Sequence, residues 1–170
     1  MKTVKKIWKQ PNFYFAIGIA VMVVLFISSS QTYAQQSQVG LIDRLLQGEP
    51  LKDTLGKIHF EYAGSPVSME SLGYSKFVEF FIRKGAHFMT YFVMGGSFCL
   101  GLYFKMKNFW WSGFFGWLAA TGYAGMDEFH QQLTGGRTPL FEDVMLDSAG
   151  ALTAVLIILL VLLVKKQRTH

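Results

Sequence analysis

Four apolar runs, separated by short charged stretches, dominate the chain. They cover residues 13–28, 86–104, 109–126 and 144–164. Each is about 16 to 21 residues long, close to the ~20 that a helix rising 1.5 Å per residue needs to cross a hydrocarbon core. Strands and most core helices of soluble domains are shorter and more interrupted. Composition agrees: 51% of residues are hydrophobic and 16% charged, where a soluble domain carries roughly 25% charged residues. The expected fold class is an all-α integral membrane protein. A four-helix transmembrane bundle would form one domain over residues 1–170, with a small extracellular loop at 30–83.

Charge gives the orientation. Lys2, Lys5, Lys6 and Lys9 precede the first run, Lys105 and Lys107 lie between the second and third, and Lys165, Lys166 and Arg168 follow the fourth. No acidic residue lies among them. All 11 Asp and Glu belong to the opposite side, with the other seven Lys and Arg. Positive residues stay inside, so both termini are expected in the cytoplasm of a plasma membrane. The net charge of +5 is then mainly an orientation signal, and nucleic acid is not an expected partner. Thr32-Tyr33-Ala34 loosely resembles a signal-peptide cleavage site. The apolar run before it is longer than most signal cores, however, so it is read as a retained span.

Small residues along the runs, Gly95, Gly96, Gly113, Gly116, Gly122, Gly125 and Gly150, let helices approach closely, which predicts a compact bundle. Trp8, Trp110 and Trp111 fall where indole rings anchor at the inner interface. Cys99 is the single cysteine. It is expected to pack or face lipid. In the outer loop, Ile58 to Tyr62 alternates as a half-buried strand does. Ala63-Gly64-Ser65-Pro66 predicts a turn and Val67-Ser68-Met69 a returning strand. Val39, Leu41, Ile42, Leu45 and Leu46 predict an amphipathic helix on the surface, and Phe77, Phe80, Phe81 and Arg83 another leading into the second span.

Ionisable residues gather at the outer ends of three spans. Lys84, His87 and Tyr91 share a helical face, as do Tyr123, Asp127, His130 and Gln131, with Glu128 on the neighbouring face. Arg83 adjoins the first stripe. Arg137 lies in the turn Thr134-Gly135-Gly136-Arg137. Glu142, Asp143 and Asp147 open the fourth span. Charges at such depth face a bundle interior and pair with one another. Arg83 or Lys84 with Asp127, and Arg137 with Asp143, would satisfy a structural ion-pair network. Two histidines, a glutamine and tyrosines among the charges favour an outward-facing polar pocket.

These blocks resemble the VanZ-like family. The matching residues are Arg83-Lys84-Gly85-Ala86-His87-Phe88 with Tyr91-Phe92, then Asp127-Glu128-Phe129-His130-Gln131, then Gly136-Arg137. Glu142-Asp143-Val144 and Asp147-Ser148-Ala149-Gly150-Ala151 complete the set. Where many relatives have Asn, this chain has Asp147. The resemblance implies a small bacterial membrane protein, and the family's namesake is associated with low-level resistance to the glycopeptide teicoplanin. It implies no settled activity.

Two mechanisms follow from the residues. In the first, the pocket binds a membrane lipid, a polyprenyl-linked wall precursor or a glycopeptide. Arg83, Lys84 and Arg137 would hold an anionic phosphate, with His87, Tyr91, Tyr123, Gln131 and Asp147 completing the ligand-binding set. In the second, the protein is a phosphatase-like hydrolase of a lipid-linked phosphate, with catalytic candidates His87, Asp127, Glu128, His130 and Asp143. The Gly135-Gly136-Arg137 turn has an analogue in undecaprenyl-pyrophosphate phosphatases, although no serine follows Arg137. The candidate acids and histidines match no metal-ligand spacing, so neither metal nor cofactor is expected. The inner halves of the spans lack ionisable residues, which disfavours an ion path. Oligomeric state is left open.

Overall fold

The computed structural model describes residues 10–135 and 139–168. Helix α1 spans Pro11–Ser29. A loop layer follows, with short helices α2 (Tyr33–Gln36), α3 (Val39–Leu45) and α4 (Lys52–Leu55), the hairpin β1 (Phe60–Tyr62) and β2 (Ser65–Val67), and α5 (Met69–Leu72). Three long helices complete the chain: α6 (Tyr74–Met106), α7 (Phe109–Gly135) and α8 (Phe141–Gln167). Helix α6 is the hub, packing against α1, α7 and α8. Helices α1 and α8 are long and apolar enough to cross a membrane.

Local chemistry sets the ends. Pro11 opens α1, where its missing N–H costs nothing. The amphipathic segment expected before the second apolar run is not separate. It continues without a break into α6, whose 33 residues span about 50 Å. Lys107 closes α6 in the left-handed conformation, and Asn108 Oδ1 accepts the Trp111 N–H to open α7. A two-residue turn therefore makes an αα-hairpin.

The β-hairpin is narrower than the sequence suggested. Its turn is Ala63-Gly64 alone, both at positive φ, as a two-residue hairpin turn requires. Ser65 and Pro66 already belong to β2. Pro66 faces Glu61, one pair beyond the closing Tyr62–Ser65 pair. That site does not exchange ladder hydrogen bonds, so the missing N–H is harmless.

Apolar side chains fill the bundle. Tyr91, Met94, Ala120, Ala124, Ala151 and Leu25 form one buried cluster. Glycines bring the backbones together. A Cβ on Gly116 would stand 2.7 Å from the Cys99 nitrogen, and one on Gly95 would stand 2.8 Å from Ala151 Cα. One on Gly150 would strike the Phe88 carbonyl oxygen. Gly122 and Gly125, also expected at contacts, face open space. Their spacing is helical, but their azimuth points away from every neighbour. Cys99 is buried in packing. Trp110 and Trp111 are exposed. Trp8 and the four N-terminal lysines lie outside the described residues.

The loop layer is fastened to the outer part of α6. Glu79, which is 1% exposed, accepts hydrogen bonds from the Gln38 N–H and the Tyr33 hydroxyl. Tyr74 donates to the Pro50 carbonyl at 3.0 Å. The aromatic rings of Phe60 and Tyr62 pack edge-on against Phe80.

Candidate functional site: a roofed polar cavity

A cavity of about 470 Å³ opens between the loop ends of α6, α7 and α8, with the hairpin as its roof. Helical spacing explains its α6 wall: Phe80, Arg83, Lys84 and His87 recur at intervals of three and four. Helix α8 supplies Asp143, Leu146 and Asp147, and α7 supplies Glu128 and Gln131.

The roof is tied down by three residues. Lys84 forms an ion pair with Asp143 Oδ1, and Tyr62 donates its hydroxyl to the same oxygen at 2.5 Å. The Lys84 ammonium also lies 4.6 Å from the centre of the Tyr62 ring, within cation–π range. Burial, reinforced by the Asp143 carboxylate, holds the Tyr62 phenol well above its ordinary pKa. It therefore stays a donor. Lys84 thus pairs with Asp143 instead of Asp127, and the expected Arg137–Asp143 pair lies outside the described residues because Arg137 does.

Deeper in, His87 Nδ1 stands 3.4 Å from Asp147 Oδ2. Asp147 and Asp127 are each 4% exposed. Asp127 Oδ2 accepts from Gln131 Nε2 at 3.1 Å. One oxygen of each carboxylate, Oδ1, is buried without a hydrogen-bond partner, as is the Tyr91 hydroxyl beneath the cavity. Leaving such groups unpaired costs about 1–3 kcal/mol each. A bundle optimised only for stability would replace them with apolar side chains.

Arg83 differs from Lys84. Its guanidinium lies 4.6 Å from the Tyr33 ring centre, and Nη2 reaches Gln36 Oε1 at 3.5 Å. Nη1 is buried and has no partner. Among the described residues, no carboxylate forms an ion pair with Arg83. Lys76, also on the cavity lining, is exposed at the rim.

Two sequence candidates point elsewhere. Tyr123 donates to the Met22 carbonyl of α1 at 2.7 Å. His130 meets the Ser29 hydroxyl at 2.9 Å and stacks on Phe26. Neither lines the cavity. The stripe on α7 was too broad to face one neighbour. At 100° per residue, His130 lies about 20° from Tyr123, Asp127 about 40°, Gln131 about 80° and Glu128 about 140°. The narrow pair faces α1, Gln131 and Glu128 face the cavity, and Asp127 lies between. Glu128 has a structural contact as well, since its Oε1 accepts the Leu140 N–H at 2.8 Å where α8 begins.

Residues that sequence reasoning missed are Tyr33, Tyr62, Lys76 and Glu79. Glu79 had a signal: it is a lone acid among Phe77, Phe80 and Phe81. Tyr62 had one in the alternation of the hairpin. Nothing local marked Tyr33, whose place depends on the path of the loop. Among the described residues, no three His, Cys, Asp or Glu side chains are grouped to hold a metal ion.

Long apolar helices around buried carboxylates and a roofed polar cavity define a small helical membrane protein. The chain belongs to the VanZ/LLP1 family, whose model matches residues 13–163. No curated protein and no solved structure matches it.

Proposed function

We propose that the chain crosses the bacterial plasma membrane four times, with both termini cytoplasmic, and that its cavity binds an anionic headgroup at the outer leaflet. The ligand class is amphipathic: a membrane lipid, a polyprenyl-linked wall precursor or a glycopeptide of the teicoplanin type. Large apolar side chains are exposed on all four long helices, among them Val24, Val93, Phe114 and Leu160. Apolar surface on that scale needs a lipid or protein cover. The charge bias of the loops supports the orientation.

The observation that carries the binding reading is Arg83. Arg83 is half-buried, its Nη1 is buried without a partner, and among the described residues it forms no ion pair with a carboxylate, an arrangement that is costly until an anion arrives. Lys84 is already paired to Asp143, so Arg83 is the better anchor. Mass spectrometry of lipids retained by the purified protein tests this. A bound anionic species should be present in the wild type and lost from Arg83→Ala. A wild type that retains none, or an Arg83→Ala variant with the same lipids, would sink the reading.

One contact favours a second reading, hydrolysis of a lipid-linked phosphate. Asp147 holds Nδ1 of His87, an arrangement that orients an imidazole as base or nucleophile through its other nitrogen. Purified protein would then release phosphate from a polyprenyl pyrophosphate, and His87→Ala would not. Absence of turnover in the wild type leaves binding as the function.

A further inference from the structure

A second cavity, of about 320 Å³, lies between α1 and α6 beside the first, and both are lined by Arg83 and His87. Its place follows from the contacts of α1. Near the termini, α1 packs on α6: Gly18 sits against Phe98, Phe15 against Gly101, and Tyr14 stacks on Phe104. Near the loops, the polar contacts of α1 run to α7 instead, through Met22, Ser29 and the His130 and Thr134 side chains. The loop end of α1 is therefore tied to α7, and above the buried Leu25 a wedge remains on its α6 side.

The chemistry of the wedge changes with height. Its lower walls carry Val24 on α1, 63% exposed, and Ala86 and Thr90 on α6. Thr90 donates its hydroxyl to the Ala86 carbonyl at 2.7 Å, so its hydroxyl proton is already used. Above them lies the glutamine-rich segment 31–38, and at the back stand Arg83 and His87. An apolar lower half and a polar, cationic upper half match the profile of a lipid at the outer interface, with tails below and an anionic headgroup above. The alternative way in, from water, lies under a hairpin that is fastened to both α6 and α8 through Lys84, Tyr62 and Asp143.

We propose that the wedge between α1 and α6 is a lateral portal through which the anionic headgroup of an outer-leaflet lipid reaches Arg83 from the bilayer. This rests on the reading of the main cavity as a headgroup site. It goes further by naming the source as the membrane and by giving the route.

Two probes separate the ideas: phosphatidylglycerol supplied in nanodiscs, and soluble glycerol 1-phosphate. The full chain is compared with Ala86→Trp, which fills the wedge from α6, and with Val24→Trp, which fills it from α1. Each variant should weaken phosphatidylglycerol binding by about tenfold, the equivalent of ~1.4 kcal/mol, and leave glycerol 1-phosphate binding within about twofold. Phosphatidylglycerol binding that survives both variants overturns the portal and leaves the headgroup site standing. Equal loss of both probes in both variants also overturns it, since a portal would affect only the membrane-borne ligand. A wild type that binds neither probe removes the headgroup site itself.

Discussion

Adjacent layers of the bundle are built in opposite ways. At and below Gly150, α6 meets α8 and α7 through glycines and alanines, with backbone atoms close enough that a methyl group would not fit at Gly150, Gly95 or Gly116. One turn above, around His87 and Asp147, the same helices hold a cavity whose wall carries the unpartnered Asp147 Oδ1, with the unpartnered Asp127 Oδ1 close by. The lower layer spends its sequence on contact. The upper layer gives up contact and keeps polar groups without full partners. Since unpaired buried polar atoms are destabilising, the difference sets the candidate site, above Gly150, apart from the tightly packed layer below it.

The largest effect should come from closing the lower layer. In Gly150→Leu the new side chain has only the Phe88 backbone to enter, and backbone cannot rotate aside. Separation of α6 from α8 should cost about 3 kcal/mol or more, at the upper end of overpacking penalties. Thermal unfolding in detergent, followed by circular dichroism, should show a strongly lowered midpoint. A midpoint equal to that of the wild type would mean that the two layers do not differ as described.

In the upper layer the sign should reverse. Asp147→Leu removes a buried carboxylate whose Oδ1 has no partner. Relief of that carboxylate's desolvation and loss of its contact with the partly exposed His87 oppose each other, so stability should be unchanged or rise by at most about 1 kcal/mol. The same variant should lose headgroup binding or phosphate release, because His87 loses its orienting partner. Stability and ligand retention measured on one preparation would show the trade. A large drop in stability with binding intact would identify Asp147 as structural and remove the contrast.

The asymmetry between layers also explains what was legible in the sequence. Composition and run length point to the long helices, because hydropathy is a property of segments. The three polar blocks point to the cavity, since helical spacing fixes which residues of one helix lie together. Azimuth relative to the other helices is a property of the packed whole. For that reason Tyr123 and His130, which share a helical stripe with Asp127, face α1, and Lys84 pairs with Asp143 instead of Asp127. Spans drawn from apolar runs also stopped at residue 86, while α6 continues to Tyr74. A helix does not end where its most apolar stretch ends, and Phe77, Phe80 and Phe81 are the visible sign of that. Tyr62 and Tyr33 reach the site through chain path, which no local pattern encodes.

A smaller effect concerns the roof. Tyr62→Phe keeps the ring over Lys84 and deletes one hydrogen bond to Asp143, which should cost about 1.5 kcal/mol, the low end for bonds to charged groups. Hydrogen exchange of the hairpin amides should quicken while the helices below Gly150 remain protected. The pH response has a definite sign. The folded state raises the phenol pKa, so it binds the proton more tightly than the unfolded state. The latch is therefore fully present below the ordinary tyrosine value near 10 and weakens as pH rises above it. Protection of the hairpin amides, taken relative to the intrinsic base-catalysed exchange rate at each pH, that already falls between pH 6 and pH 8 would have to come from another group, and Tyr62 would not be the latch.

The smallest effect tests the lower layer from its own exceptions. Gly122 and Gly125 have the same residue type and helix as Gly116, but a Cβ on either meets nothing within 4 Å. Gly116→Ala must push against the Cys99 backbone, whereas Gly122→Ala and Gly125→Ala gain helix propensity with no steric charge against it. Each of the latter should be neutral or raise stability by about 0.5 kcal/mol, because alanine loses less backbone freedom on folding than glycine does. Small-residue content would then be separated from small-residue contact. If all three alanine variants destabilise alike, α7 has a neighbour on its open face, and a second copy of the chain becomes the first candidate. Cross-linking of Gly122→Cys in a Cys99→Ser background would detect that copy directly.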